Sequence, residues 1–71
     1  MSLPVLSWRE VIKALRKKGF KAIRQKGSHI FLEDNKGHYT TVPKHKEIKK
    51  GTLLKILEQA EISKEEFLEL L

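Results

Sequence analysis

Phe20-Lys21-Ala22-Ile23-Arg24, Ser28-His29-Ile30-Phe31-Leu32-Glu33 and His38-Tyr39-Thr40-Thr41-Val42 are three short segments with a side-chain period of two. That period belongs to extended chain with one face buried. Gln25-Lys26-Gly27 predicts the first turn, and Asp34-Asn35-Lys36-Gly37 a four-residue hairpin connection in which Gly37 suits a positive φ. Pro43 ends the third segment because it has no N–H to give to a ladder. Three strands joined by connections this short form an antiparallel meander.

Helical spacing flanks the meander on both sides. Ser7-Trp8-Arg9-Glu10 is a capping box, with Trp8, Val11, Ile12 and Leu15 on one stripe and Gly19 placed as the C′ residue. Arg9, Lys13 and Arg16 make a basic stripe on the other side, most simply a solvated face. After the basic loop at residues 44–50, a second helix is expected near Gly51-Thr52, carrying Leu53, Ile56, Leu57 and Ala60. Ser63-Lys64-Glu65-Glu66 is a second capping box and opens a short last helix with Phe67, Leu68 and Leu71. The expected fold is therefore α+β. It has the order α-β-β-β-α, a three-stranded antiparallel sheet with helices on one face, and a short extra C-terminal helix.

Length and composition narrow the rest. Seventy-one residues make a single domain, 1–71, with residues 1–6 expected as a flexible lead. A core of this size supplies only about 3–5 kcal/mol. With no cysteine there is neither a disulfide nor a thiolate zinc site. No apolar run approaches the ~20 residues of a membrane span and no signal-peptide pattern opens the chain, so a cytoplasmic protein is expected. Residues 1–50 hold 13 Lys and Arg against 4 Asp and Glu, a balance of +9, whereas residues 51–71 hold 2 against 5, a balance of −3. A basic body of this kind fits a polyanion or an acidic protein, and it equally fits charge kept for solubility.

Three histidines, His29, His38 and His45, fall in this basic region. Their spacing is poor for metal binding, and no metal or other cofactor is expected. Nucleophilic and paired-carboxylate chemistry lack their residues. If the helices cover Ile30 and Leu32, alternation puts His29 and Phe31 on the open face, beside Arg24 and Lys26. A histidine there can move the protons of RNA cleavage while cations stabilise the charged phosphorane, and Phe31 or Tyr39 can stack on a base. Taken alone, a histidine at a strand start is more simply a residue that closes a turn.

Arg24-Gln25-Lys26-Gly27-Ser28-His29, followed by Thr41-Val42-Pro43 and then Glu47-Ile48-Lys49-Lys50-Gly51-Thr52-Leu53, resembles the HicA family of toxins from about Ser7 to Leu71. The resemblance implies a fold similar to a double-stranded RNA-binding domain. It also implies a metal-independent endoribonuclease of a type II toxin–antitoxin system that cleaves mRNA and is silenced by a HicB antitoxin. Carried onto this chain, the catalytic residue is His29, with Gly27 and Ser28 shaping its turn. Arg24, Lys26, Lys44, Lys46, Lys49, Lys50 and Phe31 are the expected RNA contacts. Many members have a second histidine after Gly-Ser-His, where this chain has Ile30. Two other readings stand beside the enzyme: a non-catalytic RNA-binding module of the same fold, and a domain that only binds an acidic protein.

Overall fold

Helix α1 (Trp8–Lys17) starts as a complete capping box. The Ser7 N–H donates to the Glu10 carboxylate at 2.9 Å and the Glu10 N–H donates to the Ser7 hydroxyl at 3.3 Å. Accepting the Ser7 N–H, then the bond to the Ser7 side chain, holds the Glu10 carboxyl below its ordinary range. The helix stops where Gly19 takes φ +105°, and the Phe20 N–H returns to the Leu15 carbonyl at 3.0 Å. The computed structural model describes residues 3–71, so Met1 and Ser2 of the expected lead lie outside the described residues.

β1 (Lys21–Lys26), β2 (His29–Glu33) and β3 (Tyr39–Pro43) form one antiparallel sheet in the order β1-β2-β3. It is followed by α2 (Lys50–Ala60) and α3 (Lys64–Leu70). The α-β-β-β-α-α layout is the expected fold. The first strand, however, runs later than its expected span of Phe20–Arg24. Phe20 is buried ahead of the strand, while Gln25 and Lys26 pair with Ile30 and His29 instead of turning. The cause lies in the turn. Gly27 has φ +59° and Ser28 does not share a positive φ, which is the two-residue II′ arrangement and needs no third residue.

The helices cover one face of β2 and β3 only. Ile30, Leu32, Thr40 and Val42 pack beneath Val11, Ala14 and Leu15 of α1, Leu53, Ile56, Leu57 and Ala60 of α2, and Phe67 of α3. All six residues of β1 are exposed, and the strand carries an irregularity in register at Ile23. Thr40 is the buried polar residue of this core. Its hydroxyl donates to Gln59 Oε1 at 2.8 Å, and the Thr41 N–H reaches the same oxygen at 3.3 Å, so α2 is tied to β3 by hydrogen bonds as well as by packing.

Two local expectations are corrected. Leu6, assigned to the lead, is 8% exposed and belongs to the core. It forms a bridge with Ile48, whose N–H donates to the Leu6 carbonyl at 2.6 Å, and an apolar pair that excludes water outweighs the freedom of a terminal segment. At α3 only half of the capping box forms. The Ser63 hydroxyl accepts from the Glu66 N–H at 3.0 Å, but the Glu66 carboxylate pairs with the ammonium of Lys18 at the end of α1. A cation on a neighbouring helix outcompetes the neutral amide of Ser63.

The β2–β3 connection is closed by Asp34, whose Oδ1 accepts the N–H groups of Lys36 and His38 at 3.0 and 2.8 Å. His38 is held between two carboxylates, Nδ1 at 2.8 Å from Asp34 and Nε2 at 3.1 Å from Glu61 at the C-terminal end of α2. Both ring nitrogens can donate only in the imidazolium form. The hydrogen bond to Asp34 accordingly raises the His38 pKa above its ordinary 6.5, against some desolvation and with the attraction of both carboxylates. For Asp34, burial alone would raise the pKa, but the side-chain and backbone bonds from His38, with that from Lys36, outweigh it and lower the value.

These shifts define a pH window. A raised histidine stabilises fully below its unfolded value and loses the effect as pH climbs through the folded one; a lowered carboxyl does the reverse. The cluster therefore contributes most between about pH 4 and 6.5. We expect His38→Gln to lower the melting temperature at pH 5.5 by more than at pH 8.5; equal losses at both would sink the assignment. Phe67 is wholly buried. Phe67→Ala is expected to cost about 3–5 kcal/mol, comparable with the whole stability of so small a domain, and to unfold it by circular dichroism at 37 °C.

Candidate functional site

Strand alternation decides which groups stand on the uncovered face. Since Ile30 and Leu32 are under the helices, His29, Phe31 and Glu33 face the other way, together with their direct cross-strand partners. For His29 those partners are Lys26 on one side and Pro43 on the other; for Phe31 they are Arg24 and Thr41. The Arg24 guanidinium lies 4.7 Å from the centre of the Phe31 ring, so the half-buried ring holds the cation and is itself covered. Tyr39, opposite Glu33, is 65% exposed and is the free aromatic surface of this face.

The backbones of Lys26 and His29 pair across the Gly27-Ser28 turn, and two further hydrogen bonds tie the turn to its surroundings. The Gln25 amide donates to the Gly27 carbonyl at 3.0 Å, and the Lys44 N–H donates to the Ser28 carbonyl at 2.7 Å. The second bond extends the β2–β3 pairing past Pro43 and fastens the start of the 44–50 loop to the turn. The Lys44 ammonium then lies 5.2 Å from the centre of the Trp8 ring, and the Arg9 guanidinium lies 4.6 Å from it. The Trp8 N–H donates to the His45 carbonyl at 3.0 Å. Four chain segments thus meet at one end of the sheet: the start of α1, the β1–β2 turn, the end of β3 and the loop after it.

Of the residues expected to bind RNA, Arg24, Lys26 and Phe31 share the uncovered face with His29, while Lys44 is joined to the turn by its backbone and carries its ammonium to Trp8. Lys49 and Lys50 sit elsewhere, as the N-cap and first residue of α2 beyond the Leu6–Ile48 bridge, and Lys46 lies in the bend between. Lys49 offers no side-chain acceptor, so the first amides of α2 are left without a cap. Trp8 and Arg9 join the site without having been singled out for it. Trp8 reads as one member of an apolar stripe, and nothing local in the sequence ties it to residues 44 and 45. Ile30, which the resemblance sets against a second histidine in many members, is 6% exposed on the core side. A side chain at that position faces away from His29.

A model of the HicA toxin of bacterial toxin–antitoxin systems matches residues 8–62, from the first residue of α1 to just past α2. The chain belongs to the HicA toxin family. No curated protein matches it. Membership makes the chain a toxin of a toxin–antitoxin pair, for which an antitoxin is the counterpart. Among the described residues no helix is long and apolar enough to cross a membrane. The matched span of this HicA-family chain contains every segment that meets at the His29 turn. Only α3, which supplies Phe67 to the core, lies wholly beyond it.

Gly27 is the residue whose replacement tests the turn. No atom stands where its Cβ would go, so only the backbone at φ +59° resists substitution. Gly27→Ala is expected to destabilise by about 1–2 kcal/mol in urea titration, and Gly27→Asn by less, because asparagine tolerates the left-handed region. Equal costs for the two would mean that the conformation is not what the site requires there.

Proposed function

We propose that this toxin is an endoribonuclease that cleaves mRNA without a metal or other cofactor, with His29 as its general acid/base. One observation carries the reading: an exposed histidine on the uncovered sheet face, directly opposite Lys26 and flanked by Arg24 and by the loop that carries Lys44. Cleavage at a ribose needs a group that moves protons near neutral pH and cations beside the phosphorane, and both are present within one sheet end. Lys26, Arg24 and Lys44 are the phosphate contacts of this reading; Lys46, Lys49 and Lys50 extend the same charge along the loop to α2. Tyr39 offers a stacking surface for an unpaired base. On this reading the toxin acts in the cytoplasm, where an mRNA substrate is found.

The same face accounts for the antitoxin. A HicB-type partner that presents acidic groups to the +9 half of the chain covers His29 and stabilises the small domain by mass action. The wild type is expected to cut RNA in the presence of a chelator, with His29→Ala slower by roughly 10²–10⁴-fold while folded. RNA affinity should fall steeply as salt is added. Binding without cleavage by the wild type would instead identify a non-catalytic RNA-binding module, and a flat salt response would remove the phosphate contacts.

A further inference from the structure

We propose that His45 is the second proton-transfer residue of this site, working opposite His29 across the scissile phosphodiester. The inference rests on the ribonuclease reading above. Cleavage by the ribose 2′-hydroxyl moves two protons at one phosphorus. The 2′-hydroxyl proton passes to a neutral imidazole as the 2′-oxygen bonds to phosphorus. The bond to the 5′-oxygen breaks, and that oxygen takes a proton from an imidazolium. The products are a 2′,3′-cyclic phosphate and a 5′-hydroxyl, with no further reactant. A single imidazole is in one protonation state at a time, whereas two in opposite states serve both ends.

The chain carries a second exposed imidazole whose backbone is held next to the His29 turn. Of the three histidines, His38 has both nitrogens engaged by Asp34 and Glu61 at the other end of the sheet. His45 is exposed and has no such role. Its backbone is fixed on three sides of the His29 turn. Pro43 is the direct partner of His29, and the His45 N–H donates back to the Pro43 carbonyl at 2.8 Å, a tight reversal right after the strand. Lys44, between them, is bonded to Ser28, and the His45 carbonyl accepts the Trp8 N–H. A Cα separation of about 4.5 Å for this pair without ladder bonds, plus two residue steps, puts the His45 Cα no more than about 12 Å from that of His29. Two imidazole side chains and an intervening phosphate fill such a span. The charged groups of the adjoining segments are Arg9 of α1, Lys26 of β1, and Lys44, Lys46 and Glu47 of the loop. They are mostly cationic, as a site for a phosphodiester requires.

The test compares the full-length wild type, His29→Ala, His45→Ala and His45→Gln. Each is given a short RNA, and the same RNA with sulfur in place of the bridging 5′-oxygen, in chelator across a pH series. A thiolate leaves without a proton, so the sulfur substrate bypasses the general acid alone. We expect melting temperatures to be unchanged for both His45 variants, with both slower than wild type by at least about 100-fold on the oxygen substrate. Glutamine keeps the size and hydrogen bonding of the side chain but not its titration. The two-limbed pH–rate profile of the wild type should lose one limb in the His45 variants. The sulfur substrate should restore one and only one of the two alanine variants. A wild-type rate and profile for His45→Ala, full activity in His45→Gln, or rescue of both or neither alanine variant would overturn the proposal and leave His29 in place. A wild type that cuts neither RNA overturns this proposal and the ribonuclease reading together.

Discussion

Alternation along His29–Glu33 is the constraint on which the rest depends. Ile30 and Leu32 are driven beneath the helices by the free energy of removing apolar surface from water, and the pleat then leaves His29 and Phe31 no choice of side. A slip of one residue in the β1–β2 or β2–β3 pairing would bury a histidine and expose the core. Fixed turns at both ends guard the register: Gly27 in a two-residue reversal at one, and Asp34 collecting two backbone N–H groups at the other. Folding and the placement of His29 are thus one event. The same burial that stabilises the domain turns this imidazole outward.

The two ends of the sheet use their charges differently. At the hairpin end, cations and anions are matched: His38 sits between Asp34 and Glu61, and Lys18 meets Glu66. At the His29 end the cations have aromatic partners instead, Arg24 over Phe31 and both Arg9 and Lys44 over Trp8. A ring orients a cation without neutralising it, so the positive potential at this end is not cancelled. The acidic excess of the C-terminal helices lies on the structural side of this division. That arrangement explains why a net charge of +6 understates the charge at the site.

β1 illustrates how a marginal domain handles an edge. It is exposed on both faces and ends the sheet, yet Lys21, Arg24 and Lys26 make it a poor template for a second strand, and its irregular register at Ile23 adds to that. Two of these residues, Lys26 and Arg24, also supply cations on the face of His29. Stability comes from the other side, where Phe67 of α3 and Leu6 from the N-terminal segment complete a core that the two long helices alone do not close.

Period and punctuation in the sequence determined the α-β-β-β-α order, the capping box at Ser7, the positive φ at Gly37, and the side of the sheet on which His29 stands. Each follows from interactions within a few residues, or from the strict alternation of a strand. The later span of β1 was not legible because a two-residue turn leaves Gln25 and Lys26 free to pair. The inclusion of Leu6 in the core and the diversion of Glu66 from its cap to Lys18 were not legible either, because each is won by a partner distant in the chain. So it is with the site. The sequence names Gly27, Ser28, His29, Arg24 and Lys26, which are neighbours along the chain. That Lys44 rather than Lys49 or Lys50 is fastened to the turn, that Trp8 anchors the loop, and that His38 is bound between two carboxylates were settled only by tertiary structure. Backbone hydrogen bonds between residues 8 and 45, and 28 and 44, leave no periodic trace in a sequence.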